Sequence, residues 1–279
     1  MRKNVFRRTT AALVGAAAIA LMAPATGASA ATDVADLRSG DKLLSGQSMK
    51  SGESVLVMQT DGNLVLYLES STGTRVSTAM WSTGTYGNPG AYAYMQEDGN
   101  LVVYRQGSTA GSDALWSSRT WSNPGGHMTL NWGDITVWPA RGGNAPWDSR
   151  TGLAPAVGFG GATPEASITS GRNVEAGQWI QSNSVWLVNQ ADGNLVLYRK
   201  RDGAAIWASN TANRSQSSLV VSNSQNDPAL RMRDSSGQTI WSATPKGTSD
   251  VYGTVQDDAN FVLYSNGSAL WSTGTWGKG

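Results

Sequence analysis

The chain has 279 residues, with 21 basic against 20 acidic side chains, 33 Gly, 12 Trp and no Cys. Near-balanced charge excludes the basic footprint of a nucleic-acid or anionic-lipid binder, and the absence of cysteine excludes disulfides and thiolate metal sites. The one histidine, His127, stands alone in the loop-like SNPGGHM, and acids cluster only within a repeated motif; no zinc site, no Ser-His-Asp or Cys-His arrangement and no cofactor are expected.

Residues 1–30 read as an export signal, with Arg2, Lys3, Arg7 and Arg8 as the basic start, Ala11 to Met22 as the apolar middle and Ala28-Ser29-Ala30 as the cleavage site. The apolar run falls short of the roughly 20 residues that a spanning helix needs, so cleavage after Ala30 and secretion without membrane insertion are expected. Arg7-Arg8 also permits a twin-arginine route, although its surroundings match that signal poorly. Past Ala30 the chain carries 17 basic and 20 acidic residues, a net charge of −3.

Glycines at fixed offsets come next. Gly40, Gly46 and Gly52 lie 19, 13 and 7 residues before Gln59, where the pattern Gln-x-Asp-x-Asn-x-Val-x-Tyr first appears as QTDGNLVLY, Gln59 to Tyr67. Ser54 to Gln59 and Asn63 to Tyr67 are rich in Val, Leu and Met and flank Asp61-Gly62, a strong hairpin signal. Ala79-Met80-Trp81-Ser82 then supplies a third short strand bearing a Trp. A second unit repeats this order with QEDGNLVVY, Gln96 to Tyr104, and Ala114-Leu115-Trp116-Ser117. A third keeps the Trp in Ala145-Pro146-Trp147-Asp148, but LNWGDITVW, Leu130 to Trp138, retains none of the five motif residues.

After an Ala/Pro/Gly-rich linker at 153–164 the order begins again, with Gly171, Gly177 and Asn183 at the same offsets before Gln190. QADGNLVLY, Gln190 to Tyr198, precedes Trp207, and QDDANFVLY, Gln256 to Tyr264, precedes Trp271. Between them QNDPALRMR precedes Trp241; Gln225 and Asp227 survive there, while Ala229, Arg231 and Arg233 replace Asn, Val and Tyr. The Trp spacings, 35 and 31 and then 34 and 30, describe a duplicated triplet. Two domains, 36–152 and 165–279, are therefore expected. Helical periodicity is absent beyond the signal. The expected fold class is all-β: two tandem β-prism (type II) domains, each of three three-stranded subdomains around a Trp core. Trp121, Trp132, Trp138, Trp179, Trp186 and Trp276 stand outside the repeated set, and core, domain contact and ligand surface remain open for them.

Asn63, Val65 and Tyr67 are two apart and share one strand face, while Leu64 and Leu66 turn to the other and can be buried; the motif face is left free for a ligand. Run straight, Gln59 to Tyr67 would span roughly 26 Å at about 3.3 Å per residue. The Asp61-Gly62 turn instead folds Gln59 back beside the second strand. One carboxylate, two amides, a phenol and a small apolar contact suit a polyhydroxylated ring, which needs directed hydrogen bonds and a patch for its C–H face. A turn alone explains Asp-Gly-Asn but not the recurring Gln and Tyr. The acidic pairs Glu97-Asp98 and Asp257-Asp258 read as one motif acid plus a neighbour on the opposite side, not as glycosidase carboxylates.

With these residues the chain resembles the monocot, or bulb-type, mannose-binding lectins over nearly all of its length past the signal, as a tandem, secreted bacterial member of that family. The resemblance implies a β-prism around a tryptophan core. It implies that Asp61 and Asn63 hold the axial 2-hydroxyl of mannose, Gln59 the 3-hydroxyl and Tyr67 the 4-hydroxyl, with Val65 against the ring carbons. The same roles pass to Gln96, Asp98, Asn100, Val102 and Tyr104, to Gln190, Asp192, Asn194, Val196 and Tyr198, and to Gln256, Asp258, Asn260, Val262 and Tyr264. Plant members commonly place a disulfide Cys where Gly62 stands here. The two worn units reduce the expected valency to four.

The function expected is a non-catalytic lectin for mannose-containing glycans or a cell-surface polysaccharide. A lectin-like bacteriocin and a structural cell-wall or matrix protein are the alternatives, and a homodimer is compatible with the sequence.

Overall fold

The computed structural model describes residues 34–108, 110–154, 167–214, 217–224, 227–244 and 250–279. The expected export signal at 1–30, the expected linker beyond Ala154, and Gln225 lie outside the described residues. The described chain is all-β, and its only helical piece is a short 3₁₀ turn at Gly111–Asp113.

Each repeat unit is a three-stranded meander. In the first half these are β4 (Ser54–Met58), β5 (Leu64–Leu68) and β6 (Trp81–Ser82); β7 (Tyr92–Met95), β8 (Leu101–Tyr104) and β9 (Ala114–Ser117); and β10 (His127–Asn131), β11 (Asp134–Trp138) and β12 (Trp147–Asp148). Three leader strands precede them, β1 (Val34–Leu37), β2 (Lys42–Leu43) and β3 (Ser48–Ser51). Each leader strand adds an antiparallel fourth strand to one meander, in reverse order: β1 to the third unit, β2 to the second, β3 to the first. The three glycines at fixed offsets are the corners of this circuit: Gly40, Gly46 and Gly52 all have positive φ, at 89°, 83° and 56°.

The second half repeats the plan. Its leader is β14 (Ser167–Ile168), β15 (Asn173–Glu175) and β16 (Gln178–Gln181). The fourth unit is β17 (Val185–Asn189), β18 (Leu195–Arg199) and β19 (Ala205–Ala208); the fifth is β20 (Ser218–Ser224), β21 (Asp227–Arg233) and β22 (Thr239–Ala243); the sixth is β23 (Val251–Val255), β24 (Phe261–Ser265) and β25 (Ser268–Ser272). Here β14 joins the sixth unit, β15 the fifth and β16 the fourth. The last strand of the first half, β13 (Gly152–Leu153), adds in parallel to β16 and makes the fourth unit's sheet five-stranded. The C-terminal β25 pairs with β24 of its own unit.

The result is two β-prisms in tandem, each with three indoles at its centre. Trp81, Trp116 and Trp147 contact one another edge-on at centroid distances of 5.5–5.9 Å, and Trp207, Trp241 and Trp271 do the same at 5.5–5.9 Å. Edge-to-face pairing matches the positive ring edge to the negative face, and a closed trio satisfies three such contacts at once. Leu56, Leu64, Leu66, Leu101, Val103 and Leu130 fill the space around the first trio.

His127 is not a loop residue. It opens β10 opposite Trp138, because the third unit's hairpin runs in register for five pairs.

Candidate functional site

The four motif copies fold alike, down to individual atoms. In the first, Gln59 N–H donates to Asn63 O at 2.8 Å and Gly62 N–H to Gln59 O at 3.0 Å, so the Gln comes back beside the second strand as the spacing predicts. Gln59 Nε2 then donates to the Tyr67 hydroxyl at 2.9 Å; the same bond is 3.1 Å for Gln96 and Tyr104, 2.5 Å for Gln190 and Tyr198, and 2.9 Å for Gln256 and Tyr264. The Asp side chain caps the turn: Asn63, Asn100, Asn194 and Asn260 each donate a backbone N–H to Oδ1 of Asp61, Asp98, Asp192 and Asp258 at 2.9–3.0 Å.

Behind each Asn lies a ring of hydroxyls that sequence reasoning missed. The side-chain oxygen of Asn63 accepts from Thr83 Oγ1 and Thr85 N–H, both at 3.1 Å. Ser118 and Thr120 serve Asn100, Ser209 and Thr211 serve Asn194, and Thr273 and Thr275 serve Asn260. A backbone N–H can only donate, so this contact fixes which end of the amide carries the oxygen and turns Nδ2 to the other side. The second Thr of each pair also donates to the carbonyl one residue before the Asn: Thr85 to Gly62, Thr120 to Gly99, Thr211 to Gly193 and Thr275 to Ala259, at 2.6–2.7 Å. The signal was available in the sequence, since Ser or Thr stands two residues and Thr four residues after the core Trp in every intact unit.

Glycine beside the Asp is required by space. A Cβ on Gly62 would lie 2.1 Å from Asn88 O, on Gly99 1.9 Å from Asn123 O, and on Gly193 1.9 Å from Arg214 O. A half-cystine has no room at these three turns. In the sixth unit Ala259 holds the position at φ 72° and is fully buried.

The motif valines form a floor, not an open face. Val65, Val102, Val196 and Val262 are 1–4% exposed, and Val57, Tyr94, Val188 and Thr254 stand directly opposite them on the preceding strands. At the second copy Tyr92, Tyr94 and Tyr104 surround Val102, and the Lys42 ammonium lies 5.0 Å from the Tyr92 and Tyr94 ring centres. At the fourth copy Tyr252 stacks on Tyr264 at 5.6 Å. The four motif aspartates are exposed at the rims.

The acids next to the motif already have partners. Glu97 accepts from the Tyr94 hydroxyl at 2.8 Å, and that bond draws its carboxyl below the usual range. Asp257 accepts from the Asn183 backbone at 2.8 Å and its side-chain amide at 2.9 Å, with the same effect on its carboxyl. The two Asn183 bonds hold its turn against the sixth unit's motif turn.

The copies differ in openness. Gln59, Gln96 and Gln256 are half-buried, whereas Gln190 is 3% exposed. Val196 and Tyr198, with their same-face neighbours Trp179, Trp186 and Val188, belong to one continuous core with the first half's Val76 and Met80. A Cβ on Gly133 of the first half would lie 2.1 Å from the Trp179 ring. Glu53 Oε2 accepts from Trp186 Nε1 at 2.6 Å and from the Lys200 ammonium at 2.8 Å. Ser71 N–H and Thr72 Oγ1 reach the carbonyls of Lys200 and Arg201. Trp179 and Trp186, undecided from sequence, are thus fully buried where the halves meet.

The worn units lack the constellation. In the third, Asp134 stands in the Asn place and accepts from Ser149 at 3.0 Å, burial pushes its carboxyl up, and Trp132 replaces the motif Asp. In the fifth, Arg231 is buried at the place of the floor valine and Ala229 replaces the Asn.

These features define a tandem β-prism with a repeated polar constellation. No protein-family model and no curated protein sequence matches the chain. Among solved structures it is similar to a monomeric monocot mannose-binding lectin from Gastrodia elata, at 32% identity over 42% of this chain and 98% of that one, TM-score 0.33. It is also similar to the fetuin-binding two-domain agglutinin of Scilla campanulata, at 24% identity over 87% of this chain and 100% of that one, TM-score 0.32. A third is the Polygonatum cyrtonema lectin complexed with monomannoside, at 32% identity over 39% and 96% of the two chains, TM-score 0.32.

Proposed function

We propose that the chain is a secreted, non-catalytic lectin that takes mannose-type sugars in the pockets of its first, second and fourth motif copies. The observation that carries this reading is the fourfold recurrence of one hydrogen-bonded constellation, Gln to Tyr, Asp to Asn, and Asn to a Ser/Thr pair. That constellation spends the interior-facing atoms on protein partners. It turns one Asp oxygen, the Asn Nδ2, the Gln carbonyl and the Tyr hydroxyl toward a ligand above an apolar floor. Vicinal hydroxyls can both donate to the carboxylate and accept from the amide, while the ring carbons rest on Val. Asp61, Asp98 and Asp258 supply the charge-assisted bonds, which are about twice as strong as neutral ones.

In this reading the third copy, with Gln190 buried and Val196 and Tyr198 packed in one core with the first half, joins the halves instead of binding. The halves are the domains 36–152 and 165–279, and residues 1–30 direct export. Each pocket is small and weak by itself, and useful affinity arises from engaging several at once.

Calorimetric titration of the protein with methyl α-mannoside tests the reading. Saturable binding near three sites per chain, with methyl α-glucoside inert because its 2-hydroxyl is equatorial, is the expected result. Asp61→Ala, Asp98→Ala and Asp258→Ala combined should abolish it, and Asp192→Ala alone should leave it intact. Unchanged binding in the triple variant removes the mechanism.

A further inference from the structure

Three large aromatic side chains project into solvent at equivalent places in the repeat: Tyr86, Trp121 and Trp276 are 71%, 56% and 73% exposed. Each stands five residues after a core Trp, namely Trp81, Trp116 and Trp271. Single exposed aromatics call for no explanation, but the same exposure at three repeat-related positions does.

Their loops are tied to the motif on both flanks. The residue before each ring, Thr85, Thr120 or Thr275, donates its backbone N–H to the motif Asn at 3.1–3.2 Å. Just after the ring, Asn88 N–H, Asn123 N–H or Gly277 N–H donates to the carbonyl of Asp61, Asp98 or Asp258 at 2.8–3.0 Å. In the first two loops the Asn side chain reaches back as well, to Thr85 O and Thr120 O, both at 2.9 Å. A ring carried on a loop so fastened is presented with little backbone freedom left to lose on binding.

The distribution follows the openness of the pockets. Where the motif is intact but its floor is covered by the other half, the equivalent residue is Ala212; in the worn third unit it is Gly152. Core packing cannot explain this pattern, because the rings are outside, and general surface composition would not single out three of the four intact copies.

We infer that Tyr86, Trp121 and Trp276 are stacking platforms for a second sugar of the same glycan, next to the residue held by the motif. The inference rests on the carbohydrate reading above. An exposed indole or phenol offers a flat, electron-rich face, and the C–H face of a pyranose is the complementary surface when its hydroxyls must stay in water. In that reading the five motif side chains engage one ring, so the rest of a bound glycan extends outward across the rim, where the motif Asp and these loops meet. The ligand class is accordingly a mannose-terminated oligosaccharide, with the polar pocket setting identity and the platform rewarding length.

The test compares the wild type with a Tyr86→Ala, Trp121→Ala, Trp276→Ala variant, titrated with methyl α-mannoside and with α-linked mannobiose and mannotriose. Circular dichroism first establishes that the variant, altered only at exposed positions, remains folded. The wild type should bind the oligosaccharides more tightly than the monosaccharide, and the variant should lose that preference by about tenfold, or about 1.4 kcal/mol. Tryptophan emission of the wild type should shift with mannotriose far more than with methyl α-mannoside, and Trp121→Phe, Trp276→Phe should remove the difference. An oligosaccharide preference that survives in the alanine variant overturns the platforms while leaving the pocket reading intact. Failure of the wild type to bind any mannoside sinks both.

Discussion

Removing the Glu53 carboxylate is the sharpest probe of how the two prisms are joined. In Glu53→Ala, the Trp186 indole N–H and the Lys200 ammonium both lose an acceptor that now stands at 2.6 and 2.8 Å. Trp186 is fully buried and the Lys200 side chain is 11% exposed, so both donors depend on this acceptor in the intact fold. A buried donor left unpaired costs about 1–3 kcal/mol, and more when charged. Two features reduce that sum: the Glu53 side chain is 35% exposed, so water can follow its removal, and the Lys200 ammonium keeps the Trp186 ring at 5.5 Å. The net expectation is a loss of about 2 kcal/mol, which for a chain this long lowers the melting temperature by roughly 4–8 °C. Urea denaturation followed by tryptophan emission measures it, with Glu53→Gln expected to fall between the variant and the wild type. The decisive comparison adds Lys200→Met: it should be harmful in the wild type and restorative in Glu53→Ala, because there it removes the unpaired charge. Equal effects of Lys200→Met in the two backgrounds, within about 0.5 kcal/mol, would refute the reasoning.

Two further perturbations follow from the turns and the worn unit. Gly62→Ala should cost at least about 2 kcal/mol and remove one mannoside site by calorimetry, because φ is 93° and the new Cβ would lie 2.1 Å from Asn88 O. The control Gly73→Ala, at φ 81° with nothing within 4 Å, should cost only about 1 kcal/mol and spare the stoichiometry. Asp134→Asn should stabilise the protein at pH 7. Burial raises the folded-state carboxyl above its unfolded value of 3.8, so ionisation penalises the fold above the folded pKa and not below 3.8. Denaturation curves at pH 7 and pH 3.5 should therefore show the gain at the higher pH alone, and a variant weaker at both would contradict the burial argument.

Much of this architecture was legible in the residues. The Asp61-Gly62 signal marks the hairpin that brings Gln59 to Tyr67, and the regular Trp spacing marks the indole trios, because both depend on local sequence that repeats. The leader strands were not legible, although Gly40, Gly46 and Gly52 stood at conspicuous offsets. Strands of two to four residues carry too few side chains to alternate visibly, and their pairing is set by partners far along the chain. The hydroxyl ring of Thr83 and Thr85 was present as a repeat but resembled ordinary loop composition until the Asn side chain was seen to need it. The covering of the third pocket was hidden for another reason. Gln190 to Tyr198 matches its sister copies locally, and only Trp179, Trp186 and Glu53, meeting across the halves, decide its exposure.

The reversed circuit of the leader bears on how the chain is made. Val34–Leu37 leaves the ribosome long before His127–Asn131, the strand it must pair with, has been synthesised. Each prism thus closes from its last-made unit back to its first-made end, and its earliest segment waits unpaired through most of the domain's elongation. Such non-local pairing is slow and leaves sticky backbone exposed in the meantime. Deleting the leader would strip one rib from all three walls of the prism together, so a truncated chain should precipitate and not merely bind less.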